Sequence, residues 1–151
     1  MQVALNRATS VGYLTNLAAR LLVRELERHL SPSGLSPAHM PVLLALEDGA
    51  ALTQKALAER ASVEQATMTA TLTRMERDGL VTRRPNPQDG RSTLVALTPL
   101  ALEKLPAVAQ ATATINDLVL EQLAPDERQQ FFALIQRIIG VLEAQDSAAR
   151  S

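Results

Sequence analysis

Two short stretches of this chain carry side chains in patterns suited to reading a polyanion. In the first, residues 65–77, small and hydroxyl residues alternate with apolar ones. At roughly 100° per residue on a helix, Met68, Leu72 and Met75 fall within about 60° of one another and face a core. The opposite side carries Ala66, Ala70, Thr73 and Arg77, flanked by Thr67, Thr69 and Arg74, with Gln65 near its start. A helix with so little bulk on that side can approach a groove closely. Gln reads adenine, and Thr offers a hydroxyl to a base edge or a methyl to thymine. In the second stretch, Asn86-Pro87-Gln88-Asp89-Gly90-Arg91 follows Arg83 and Arg84. A guanidinium at such a turn tip can enter a narrow, negative minor groove, with Asp89 placed to salt-bridge or orient Arg91.

Local charge agrees with this chemistry although bulk charge does not. The 151 residues hold 15 basic and 16 acidic side chains, a net charge of −1. Residues 53–97, however, contain seven basic residues (Lys55, Arg60, Arg74, Arg77, Arg83, Arg84 and Arg91) against five acidic ones. The basic excess therefore lies where the two stretches lie. Absence of cysteine removes disulfide scaffolds, thiol redox sensing, cysteine nucleophiles and thiolate zinc sites. His29 and His39 are the only imidazoles, so no metal site and no cofactor is expected. No nucleophile elbow, phosphate loop or HExxH pattern occurs, which argues against an enzyme. The longest apolar runs fall far short of the ~18–20 residues of a membrane span, and the first residues lack a secretory pattern. A cytoplasmic chain without membrane contact is the expectation.

The elements needed to position these residues are mostly helical. Leu and Ala supply 49 positions, while Tyr13, Phe131 and Phe132 are the only aromatic residues, a mixture that favours helices over a β-sandwich. A first helix is predicted from about Val3 to Leu30, with a stripe through Leu14, Leu17, Leu21, Leu22 and Leu26. Ser36-Pro37 opens a second, running to about Asp48. Thr53 caps a short third helix, with Leu52 and Leu57 as a hydrophobic staple. Ser62 to Gln65 has capping-box spacing for a fourth helix, which Gly79 ends. The strands 80–84 and 93–97 then bracket a hairpin whose turn signal is Asp89-Gly90. Thr98-Pro99 starts a long helix to about Leu123, kinked by Pro106, and a last helix begins at Ala124-Pro125. Its stripe, Phe131, Leu134, Ile135, Ile138, Ile139 and Leu142, is the most regular in the chain. The fold class is therefore mainly α with a small β-hairpin, a winged helix-turn-helix at 36–99 with helical dimerisation arms at 1–31 and 100–146, in a single domain.

Each feature also has a plainer reading. Arg83 and Arg84 can be a solvated strand-edge pair rather than phosphate contacts. Arg74 can pair with Asp78 one turn on, and the hydroxyls of Thr67 and Thr69 can bond back to helix carbonyls. His39, in the first turn of the second helix, suits a structural role, and Tyr13 suits a core or interface. The terminal stripes can pack internally, although dimerisation accounts for them better and would present two reading helices to a pseudo-palindromic site. The same elements can also serve as a protein-interaction module without DNA binding.

Several runs of residues together are similar to one known family: Leu57-Ala58-Glu59-Arg60; Glu64 to Thr69; Arg74-Met75-Glu76-Arg77-Asp78-Gly79-Leu80-Val81; Arg84 to Arg91; and Leu97-Thr98. They closely resemble the MarR (multiple antibiotic resistance regulator) family, and the helix order and chain length agree. The resemblance implies a homodimeric regulator of transcription, usually a repressor, binding double-stranded DNA and pairing through its first and last helices. It also implies a small, often phenolic, effector between the dimerisation and DNA-binding parts; Tyr13 and His39 are candidate polar anchors. Ala66 and Ala70 depart from the Ser and Arg that many members carry, and a cysteine-based peroxide response is impossible.

Overall fold

The computed structural model describes residues 5–151, and Val3 lies outside them. Helix α1 spans Val11–Leu30, later than the sequence predicted: a turn closed by the Thr9 amide on the Asn6 carbonyl precedes Ser10, which is extended and whose Oγ accepts the Tyr13 amide at 3.2 Å. Two 3₁₀ turns follow, Ser31–Ser33 and Pro37–His39, and then a six-residue helix α2, Met40–Ala45. The single helix expected from Ser36 to Asp48 does not form. Pro41 has no N–H for the carbonyl of Pro37, so that carbonyl takes the Met40 amide in a 3₁₀ bond instead. At the far end, the guanidinium of Arg60 donates to the Ala45 carbonyl at 2.8 Å, and Gly49 turns the chain at φ 80°.

Strand β1 (Leu52–Thr53), helix α3 (Gln54–Ala61) and helix α4 (Gln65–Arg77) come next. Strands β2 (Val81–Asn86) and β3 (Asp89–Leu97) complete an antiparallel sheet in the order β1-β3-β2. β1 is an addition to the expected hairpin: Leu52 pairs with Val95 and Thr53 with Leu94. Two residues are too few for a sequence period to reveal, so only the partner strand makes them a strand. Thr53 nevertheless caps α3 as expected, its Oγ1 accepting the Ala56 amide at 3.2 Å.

The core of this part joins Leu30, Leu35, Leu43, Leu46, Leu57, Met68, Leu72, Met75 and Val95, with Leu26 and Leu52 packed against it. Burying each such side chain contributes about 1.5–3 kcal/mol. Helix α5 (Pro99–Leu120) begins at Thr98, whose Oγ1 accepts the Ala101 amide at 3.2 Å. Pro106 lies inside it, as anticipated, and cannot bond the Leu102 carbonyl. Chain contacts divide the protein into two compact units, one reaching Thr112 and the other Ala113–Ser151. In the second, the turns after α5 tighten through Leu123 N–H to the Leu120 carbonyl, and α6 runs over Pro125–Ala149. The Glu127 carboxylate accepts the Ala124 amide at 2.8 Å, satisfying an orphan donor at the start of α6. Phe131 and Phe132 meet edge to face at 5.6 Å.

Candidate nucleic-acid interface

Presentation of α4 depends on the turn before it. Ser62 adopts φ 50° as the C-cap of α3, and its amide donates to the Glu59 carbonyl at 3.2 Å. That amide is therefore not available to Gln65. The capping box expected there is replaced by a left-handed α3 terminus, and α4 starts at Gln65 with Glu64 as its N-cap. The Val63 amide donates to the Ala58 carbonyl at 2.9 Å, so both residues after α3 are pinned to its last turn. Such pinning fixes the angle at which α4 leaves α3.

The far end of α4 closes as the sequence predicts. Gly79 stands at φ 74°, its amide donates to the Glu76 carbonyl at 3.1 Å, and the Leu80 amide reaches the Met75 carbonyl at 2.8 Å. These are the two bonds of a Schellman ending, with Leu80 and Met75 both buried. The Gly79 carbonyl accepts the Thr98 hydroxyl at 2.5 Å, which ties the end of α4 to the start of α5.

Between those ends the faces divide as predicted. Met68, Leu72 and Met75 are buried, and Thr71 joins them at 7% exposure. Gln65, Ala66, Thr67, Thr69, Ala70, Thr73, Arg74 and Arg77 are all exposed. Two hydroxyls on this face bond back into the helix: Thr69 donates to the Gln65 carbonyl and Thr73 to the Thr69 carbonyl, both at 2.9 Å. Among the described residues, the Thr67 hydroxyl and the Gln65 side-chain amide make no such bond. Arg74 does not pair with Asp78; its Nε donates to the Ala70 carbonyl at 3.3 Å. Asp78 is instead held by Arg77 at 3.1 Å, and that hydrogen bond keeps its carboxyl below the usual range.

The hairpin turn falls at Pro87-Gln88, not at Asp89-Gly90. Asn86 pairs with Asp89, while Pro85 pairs with Thr93, so Gly90, Arg91 and Ser92 bulge from β3. Side chains stabilise this alternative. Asn86 Oδ1 accepts the Gln88 amide at 3.1 Å, Asn86 Nδ2 donates to Ser92 Oγ at 3.1 Å, and Asp89 Oδ1 accepts the Arg91 amide at 3.0 Å. Asp89 thus shapes the backbone beneath Arg91 rather than pairing with its guanidinium. Arg84 and Arg91 are exposed and, among the described residues, their guanidinium groups have no ion pair.

Arg83 differs from its neighbour. Its Nε donates to Glu76 Oε2 at 2.8 Å and its Nη1 reaches Gln54 Oε1 at 3.5 Å. Gln54 in turn donates from Nε2 to Thr69 Oγ1 at 2.6 Å. One chain of polar contacts therefore links β2, the start of α3, and Thr69 and Glu76 on α4. Gln54 was not foreseen as part of this site. Its only sequence signal is its place directly after the cap Thr53, which says nothing about a contact 15 residues away.

Tyr13 and His39 have separate local partners. The Tyr13 ring lies 5.9 Å from the Arg7 guanidinium carbon. His39 Nδ1 accepts the Ser36 amide at 3.1 Å, and burial pushes its imidazole below the ordinary value, opposed by nearby Asp78 and aided by Arg74. A cavity of about 200 Å³ opens between the Pro37–His39 turn, α2 and α4, lined by Ala38, Pro41, Val42, Val63, Thr67, Met68, Thr71 and Arg74. Neither Tyr13 nor His39 lines it.

A short helix, a pinned three-residue turn, an exposed second helix and a braced hairpin define a winged helix-turn-helix, whose second helix is shaped for a major groove. The sequence profile of the MarR family matches residues 33–92. The chain is 32% identical over 98 residues to the transcriptional regulator HosA of Escherichia coli O111:H-, spanning 65% of this chain and 73% of that one. Its fold superposes on the PcaV transcriptional regulator of Streptomyces coelicolor, solved with its natural ligand, at a TM-score of 0.81 and 30% identity, over 92% of this chain and 98% of that one. The repressor CouR, solved on a 23-mer DNA duplex, shares the fold at a TM-score of 0.80 and 24% identity, over 92% and 99% of the two chains. The chain belongs to the MarR family. It is a DNA-binding transcriptional regulator, not an enzyme. No helix among the described residues is long and apolar enough to cross a membrane.

Proposed function

We propose that the chain is a cytoplasmic repressor that pairs with a second copy of itself and holds a pseudo-palindromic operator until a small effector releases it. The observation that carries the DNA contact is one exposed, low-bulk helix face together with two exposed wing guanidinium groups, Arg84 and Arg91, that have no ion pair among the described residues. Gln65, Thr67 and Arg74 supply polar contacts from α4, and Arg77 lies towards its C-terminal end. Ala66, Thr69, Ala70 and Thr73 permit close approach, while Asp89 and Gly90 shape the wing. Arg83 contributes through the brace to Glu76.

Pairing is supported by apolar side chains that each unit leaves exposed: Leu14, Leu21 and Leu22 on α1, and Phe131, Ile138, Ile139 and Leu142 on α6. Contiguous exposed apolar surface marks an association site. Effector control is supported by PcaV, solved with its natural ligand, and by the cavity beside α4, whose wall includes Arg74. A small aromatic or phenolic acid matches an apolar pocket with one cation at its wall. Tyr13 and His39 remain candidate contacts on surfaces outside that cavity.

A gel shift on the chain's own upstream region tests the central claim. Saturable binding whose affinity falls steeply with salt is expected, since neutralised phosphates release counterions. No binding on that region or on any genomic fragment refutes it, and retention of a protein partner with flat salt dependence favours the protein-interaction reading. Thermal-shift screening against small aromatic acids tests the effector. A ligand at about 100 times its Kd stabilises the folded state by about 2.7 kcal/mol.

A further inference from the structure

On the outward face of α4, the hydroxyl protons best placed to meet a base edge are already used within the chain. Thr69 gives its proton to the Gln65 carbonyl and Thr73 to the Thr69 carbonyl, each at 2.9 Å. Gln54 locks the first of these from outside the helix, donating to Thr69 Oγ1 at 2.6 Å. A threonine whose oxygen is turned back onto its own helix presents its γ-methyl in the oxygen's place. Ala66 and Ala70 add two further methyl groups, both exposed. At roughly 100° per residue, Ala66, Thr69, Ala70 and Thr73 fall within an arc of about 100°. The result is a strip of four methyl groups whose own side chains offer no free hydrogen-bond donor. Polar readout is displaced to its flanks, where the Gln65 amide, the Thr67 hydroxyl and the Arg74 terminal nitrogens are available.

We propose that this strip reads pyrimidine C5-methyl groups in the major groove, and so selects thymine at the steps it covers. Thymine alone among the four standard bases presents a methyl there, and guanine presents only the acceptors N7 and O6. Facing this strip, a guanine loses water from both acceptors and gains no donor, so it is selected against. Thr69 is the specificity-determining residue of the strip, and Gln54 is the positioning residue that holds its rotamer. The inference rests on the DNA-binding reading above, and the two fail in different ways.

The experiment enriches duplexes from a random library with the full-length chain, then titrates the best one by fluorescence anisotropy at fixed salt. Enriched half-sites should carry thymine at the steps under α4. Replacing one such thymine by uracil removes only the methyl and should weaken binding about fourfold, or about fifteenfold when both half-sites are changed. A cytosine there should bind worse than 5-methylcytosine by a similar factor, which separates the methyl from the rest of the thymine edge. Thr69→Ser keeps the hydroxyl and both its bonds while deleting the methyl. It should abolish the thymine–uracil difference at one step and leave it intact at the others. Thr69→Val keeps a methyl on that face and should retain the difference. Enriched sites lacking thymine, uracil substitutions that all fall within twofold, or undiminished discrimination by Thr69→Ser would each overturn the methyl reading. Failure to enrich any duplex would overturn the DNA-binding reading itself.

Discussion

Replacing Arg91 by Ala and, separately, Arg83 by Ala should separate DNA contact from structural support within one hairpin. Arg91 is exposed, and its guanidinium has no partner among the described residues; only its backbone amide is held, by Asp89 at 3.0 Å. Removing the side chain should therefore leave stability within about 0.5 kcal/mol of wild type. Each lost DNA charge contact lowers the slope of log affinity against log salt by about 0.9, hence by about 1.8 for a pair of chains on one operator. Between about 50 and 200 mM salt, wild-type affinity should then fall about twelvefold further than that of the variant. Arg83 should behave in the opposite way. Its ion pair with Glu76 spans 2.8 Å, with the two side chains 27% and 49% exposed. Solvent screening at that exposure limits the pair to about 0.5–1 kcal/mol. For a chain of this size that is about 1–4 °C in Tm, with the salt slope unchanged. Anisotropy titrations at four salt concentrations, beside thermal melts, read both quantities. An unchanged slope for Arg91→Ala, or a reduced slope with unchanged Tm for Arg83→Ala, would refute the assignment.

Gly79→Ala should destabilise the chain by about 1–2 kcal/mol through its left-handed backbone alone, because an added Cβ would come no nearer than 3.9 Å to Leu100; a urea midpoint equal to wild type would contradict this. Thr98→Ala removes both the α5 cap and the donor to the Gly79 carbonyl, and should cost about 1–2 kcal/mol in the same assay. For His39, burial lowers the folded imidazole below its ordinary 6.5, so the unfolded state binds the extra proton. Stability should be full above that pH and decline as pH falls below it. Protonation also removes the Nδ1 acceptor that holds the Ser36 amide. His39→Asn, with a non-titrating acceptor, should flatten the decline between pH 7.5 and 5.5, and parallel profiles for the two proteins would refute the role given to His39.

Much of this site was legible because its signals are local. The burial of Met68, Leu72 and Met75 follows from helical spacing alone, and Gly79 ends α4 because only a residue without Cβ takes φ 74° cheaply. Thr53 and Thr98 cap helices that start directly after them. Local signals failed where two of them competed. Asp89-Gly90 and Pro87-Gln88 are both turn-forming dipeptides, and the choice between them was made by Asn86, which bonds Gln88 and Ser92 only if the turn is at Pro87. Ser62 can cap either neighbouring helix, and the carbonyl of Glu59 took its amide.

The sequence by itself determined which residues form the reading helix, which of its sides is apolar, and where the wing and its charges lie, because periodicity and backbone preference act within a few residues. Only the tertiary structure decided which polar groups on that surface are free. Gln54 meets Thr69 across 15 positions, and Arg83 meets Gln54 across 29. Such partners are brought together by burial of the core beneath them, which is non-directional and indifferent to sequence distance. The same folding leaves the Arg91 guanidinium without a partner among the described residues and Arg83 engaged, although both are arginines on the strands of one hairpin.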